Sequence, residues 1–254
     1  MKKLLFIMAA WLVLCPAGHV FADTNDIPQI CRVAPKKIPV PVSHDAWDST
    51  RVYRQMVLLI EYADTTFSMP DPHAYYDSLL NRPGFNKGAG PGCAAEYMQE
   101  QSKGLFHVHF DIFGPLAINL KAQRSAGYNG GVQEKYQALD SLFAAYPNMD
   151  YSIYDWNGDN VIEQVVYVCA GTSSNLGYSG FVWPNTTDAP YGKRTPDGLN
   201  IDQHSITCED PYPAAPGGWL GFGTLVHEFS HTLGLPDVYP TGGKNASLYS
   251  VADT

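Results

Sequence analysis

Residues 227–237 read His-Glu-Phe-Ser-His-Thr-Leu-Gly-Leu-Pro-Asp, and this run restricts the fold more than any other stretch of the chain. His227 and His231 stand four apart with Glu228 beside the first. An α-helix turns once in about 3.6 residues, so the spacing puts both imidazoles on one face, within reach of a single ion. At about 100° per residue, Leu225, Val226, Phe229, Thr232 and Leu233 gather on the other side, with Glu228 at the border. Such a helix needs a core behind it and a cleft in front. Thr224 is the expected N-cap, following Gly221 and Gly223. Gly234 suits a left-handed residue closing the helix, and Pro236 prevents its continuation. The sharp turn that follows can swing Asp237 back toward the histidines. Asp237 lies six residues past His231, where longer motifs of this kind carry a third histidine. Two imidazoles, a carboxylate and an open position match a catalytic zinc site, and the His-Glu-x-x-His arrangement makes Glu228 the expected general base.

The other end of the chain bears on where such a site would operate. Lys2 and Lys3 precede a short apolar run, and Val20-Phe21-Ala22 offers small residues at the first and third positions before a cut. Residues 1–22 therefore read as a secretory signal peptide cleaved near Ala22, which predicts a secreted chain, extracellular or periplasmic. A lipid anchor on Cys15 is the weaker alternative, because Leu14 stands where a small residue is expected. Cleavage removes Lys2 and Lys3 and leaves 14 basic against 25 acidic side chains, a net charge of −11. That balance argues against nucleic acid as a partner. No further stretch is long and apolar enough to span a bilayer. Cys31, Cys93, Cys169 and Cys208 survive cleavage; an even number permits two disulfides in any of three connectivities, or buried free thiols.

Residues 23–50 carry Pro28, Pro35, Pro39 and Pro41 without periodicity and read as an extended leader or short pro-segment. Met56 to Tyr62 is an apolar run typical of a strand buried on both faces. Helices are expected over 71–80, 94–101 and 133–145, the last with Tyr136, Leu139, Leu142 and Phe143 on one stripe. Leu105 to Phe113 alternates as a strand, with Phe106, Val108, Phe110 and Ile112 on one face and His107, His109 and Asp111 on the other. Val165 to Ala170 is a second buried strand. Together these elements predict an α/β domain over 51–254 with a mostly parallel twisted sheet. Residues 171–223, rich in Gly, Pro, Asn and Asp, read as irregular, with Asp202–Cys208 as an extended segment at a cleft edge.

Ahead of the second buried strand, Asp155, Asn157, Asp159, Val161 and Glu163 occupy alternate positions, as ligands do in the first nine residues of a calcium loop. Val166 stands where a full EF-hand needs a bidentate glutamate. Asn157-Gly158 equally signals a hairpin, and both readings stand on local evidence.

With these pieces in place, the chain resembles the secreted M6 metallopeptidases, the immune inhibitor A-like group. The resemblance is carried by residues 227–239, supported by Val57 to Asp64, Gly92 to Phe106, and Tyr154 to Asp159 with its following strand. It implies a zincin (metzincin-like) fold and a zinc endopeptidase acting on protein or peptide substrates. It also implies a precursor form and bound calcium, which favours the calcium reading at Asp155, Asn157 and Asp159. Members of this family carry a methionine-containing segment after the zinc helix. Val238 to Thr254 contains no methionine, so the expectation is a catalytic domain that stops before that segment. The alternative is a secreted binding protein that keeps the fold without turnover.

Overall fold

A computed structural model describes residues 48–87, 91–125, 131–187, 193–211, 218 and 221–237. The expected signal peptide, most of the leader, Cys15 and Cys31 lie outside them. β1 (Val52–Glu61) is apolar at successive positions because both of its faces are covered. Met56, Leu58 and Ile60 enter one core and Val57 and Leu59 the other, all five fully buried. α1 (Pro72–Asn81) opens on the side chain of Asp71, which accepts from the Ala74 amide at 3.0 Å. α2 (Ala94–Gln101) opens on a reciprocal cap, the Cys93 sulfur accepting from Glu96 N–H and the Glu96 carboxylate from Cys93 N–H. These caps satisfy amide groups that the first turn of a helix leaves open.

β2 (His107–Ala117) pairs parallel with β1. Its outer edge is met by α1: Asn81 donates to the Phe110 carbonyl and accepts from the Phe110 amide, at 2.8 and 2.9 Å. His107 and His109 are half-exposed. α3 (Val132–Ala145) covers the opposite face of the sheet, with Ala138, Leu139 and Leu142 in the second core. The expected stripe is corrected at its start: Tyr136 is only half-buried, while Glu134 and Lys135 are fully buried.

β3 (Val161–Cys169) is parallel to β1, as expected, and lies on the side away from β2. Its crossover runs opposite to that of β2 and packs on the opposite face, as the single handedness of parallel crossovers requires. The reading of 171–223 as irregular is overturned. This stretch holds β4 (Asn185–Thr187) and β5 (Asn200–Cys208), giving the sheet order β2-β1-β3-β5-β4. β5 is parallel to β3, and β4 alone is antiparallel to its neighbour. Asp202–Cys208 is therefore an interior strand and β4 is the edge. α4 (Gly223–Thr232) packs on the same face as α1 and α2 through Leu225, Val226 and Phe229. Cys93, Cys169 and Cys208 are buried free thiols, with Cys169 opposite Cys208 on β3 and β5. No helix among the described residues is long and apolar enough to cross a membrane.

Candidate metal centre

The back of α4 anchors the site. Phe229 is fully buried and meets the rings of Phe106, Phe110 and Trp156 at centroid separations of 5.5–6.4 Å. Thr232 leaves the apolar stripe and donates to Gln164 Oε1 at 2.6 Å. The cap differs from expectation: the helix begins at Gly223, Phe222 occupies the capping position, and no side chain, Thr224 included, closes that end. The other end follows the sequence. Gly234 sits at φ +83°, its amide donates to the His231 carbonyl at 2.9 Å, and Leu235 N–H returns to the Ser230 carbonyl. A left-handed residue here costs least when it is glycine.

That turn brings Asp237 back. Its Oδ1 lies 3.3 Å from His227 Nε2 and 3.4 Å from His231 Nε2. The three ligand atoms lie within 4.8 Å of one another, the only such His/Cys/Asp/Glu trio among the described residues. His231 Nδ1 faces the Leu235 carbonyl at 2.8 Å. A carbonyl only accepts, so Nδ1 carries the proton and Nε2 keeps its lone pair toward the gap, the arrangement a metal-ligating histidine needs. Burial opposes a charge on His231. Asp237, the Leu235 carbonyl and Glu228 together outweigh it and raise the ring's pKa above the usual histidine value. Surroundings that favour an imidazolium also favour a cation in the same gap. Two imidazole nitrogens and one carboxylate oxygen form a donor set suited to zinc, with room for a fourth ligand.

Glu228 is 2% exposed and turns toward the sheet edge. The Thr186 hydroxyl lies 3.0 Å from its Oε2 and 2.7 Å from its main-chain oxygen. Ser205, opposite Thr186 on β5, is 2.9 Å from that hydroxyl and donates to Gln164 Oε1. Thr186, Ser205 and Gln164 had no sequence signal. A hydroxyl in the run Asn185-Thr186-Thr187 looks like any turn residue until the topology places it under α4.

The Asp155 loop follows a one-turn 3-10 helix at Tyr151–Tyr154 rather than a strand, so the hairpin reading is overturned. Asp155 closes the loop by accepting from the amides of Gly158, Asp159 and Asn160. Asn160 takes the left-handed conformation at φ +67°, and Val161 N–H donates to Asp159. Glu163 accepts from Trp156 N–H through Oε2, and burial pushes its carboxyl up to about 7. The carboxylates of Asp155, Asp159 and Glu163 do not form a trio of the closeness seen at Asp237.

Comparisons with protein-family models and with curated proteins find no match for this chain. The fold and the site together define an α/β domain in which α4 and the turn after it carry a His-His-carboxylate group able to hold a metal ion.

Proposed function

We propose that the chain is a secreted zinc-dependent endopeptidase of zincin type, similar to the M6 peptidases. The observation that carries this reading is the convergence of His227, His231 and Asp237 on one gap, with Glu228 one residue from the first histidine. His227, His231 and Asp237 would hold the ion. Zinc bound there supplies an acidified water and a Lewis acid for the scissile carbonyl. Glu228 accepts the water proton and returns it to the leaving amine. Thr186 keeps the Glu228 carboxylate in one rotamer, and β4, the antiparallel edge, offers its outer backbone groups to an extended peptide. Asp155, Asn157, Asp159, the Val161 carbonyl and Glu163 are the candidate calcium ligands. Glu163 supports this with an Oε1 that is buried and has no hydrogen-bond partner.

The alternative is a binding protein with this fold and no turnover. A glutamate next to His227 in the chain favours the enzyme, since a purely structural ion needs no base. Chelation separates the two readings. Dialysis against a chelator should abolish cleavage of a quenched fluorescent peptide, and one equivalent of zinc should restore it. Cleavage that persists in protein shown to be zinc-free would overturn the proposal.

A further inference from the structure

Lys135 is fully buried on α3, across the sheet from the metal centre. Its ammonium donates to three acceptors, each at 3.2 Å: Asn185 Oδ1 and Thr187 Oγ1 on β4, and the His204 carbonyl on β5. Asn185 is anchored again, its amide donating to the Trp183 carbonyl. A lysine without solvent is rare because its charge loses hydration, and it persists only where hydrogen bonds replace the water. The neighbouring Glu134 carboxylate is also fully buried and paired with Arg124 at 3.1 Å.

The register shows what this arrangement holds. β4 has three residues, and side chains alternate along a strand. Asn185 and Thr187 face Lys135, so Thr186 between them faces α4, where it meets Glu228. A three-residue edge strand has few ladder bonds of its own, and its placement depends on such side-chain ties. We propose that Lys135 is a positioning residue: it clamps β4 from below, and through Thr186 it sets the Glu228 carboxylate and the strand edge that receives substrate. The inference rests on the peptidase reading for its kinetic consequence and on the hydrogen-bond geometry for the clamp.

Lys135→Met keeps the unbranched chain and removes the three bonds; Thr187→Val removes one and serves if the first variant does not fold. Both are compared with wild type at equal zinc content, by steady-state kinetics on a quenched peptide and by hydrogen–deuterium exchange of the β4 amides. A displaced strand should lower kcat/KM by about ten- to a hundredfold, with kcat falling and KM rising. Thr186→Val should lower kcat and leave KM near its original value, and Thr186→Ser should restore kcat. β4 amides should exchange at least about tenfold faster in the Lys135 or Thr187 variant. A lysine that only supports the fold would lower the melting temperature and leave kcat and KM per zinc-loaded molecule unchanged, which would overturn the proposal. If wild type holds zinc and cleaves nothing, the peptidase reading fails. Exchange then decides the clamp alone: faster β4 exchange supports it and unchanged exchange overturns it.

Discussion

Nδ1–H of His231 donates a hydrogen bond to the Leu235 carbonyl, and this bond aims the Nε2 lone pair at the gap shared with His227 and Asp237. Asp237 supplies the only negative charge in the trio. Asp237→Asn keeps the shape and loses that charge, so zinc affinity should fall by about a hundredfold in a competition titration with a chromophoric chelator. Unchanged affinity would remove Asp237 from the ligand set. The two histidines were legible because helical spacing places them together with no knowledge of the rest of the chain. Asp237 was legible only because Gly234 and Pro236 announce the turn that returns it. Thr186 was not, since its role depends on a pairing with Ser205 across 19 residues.

α4 shows what packing adds to a motif. Its apolar back is a local pattern, and Phe229 fills the space between β2 and the Trp156 loop. Phe229→Ala should cost about 3–5 kcal/mol in denaturant titration. A loss under 1 kcal/mol would mean that the helix is not held by this core. Gly234→Ala forces a side chain into the left-handed region and should cost about 1–2 kcal/mol, read the same way. α2 was legible to the residue because Cys93 and Glu96 cap it locally. β5 was not legible as an interior strand. Its sequence Asn-Ile-Asp-Gln-His-Ser-Ile-Thr-Cys lacks an apolar run, and two of the polar side chains it buries meet distant partners: Tyr167 for His204, and Thr186 and Gln164 for Ser205. Ile201, Ile206 and Cys208 do enter the second core, but the polar residues between them break the apolar run that marks a buried strand.

Across the whole molecule, the two faces of the sheet divide the labour. One face carries α4 and the metal gap, and the other carries α3 with Lys135 and Glu134, two charges that a helical pattern assigns to solvent. Burial pulls the Lys135 ammonium from 10.5 down to about 7, against the opposing pull of Glu228, Cys169 and Glu134. Between about pH 7 and 10.5 the unfolded chain holds a proton at this lysine that the folded chain has released. The contribution of this site to stability therefore rises with pH across that window. Lys135→Met has nothing to titrate, so its denaturation free energy should lack that rise; parallel pH profiles for the two proteins would contradict the assignment.

In the proposed reaction His227, His231 and Asp237, on α4 and the turn after it, hold zinc and Glu228 moves the proton. The most direct measurement compares wild type with Glu228→Ala for zinc bound per chain and for initial rate on a casein or peptide substrate. One zinc per chain is expected in both proteins, with cleavage in wild type and a rate at least about a hundredfold lower in the variant. Cleavage that survives the substitution, or a wild type that binds no zinc, would contradict it.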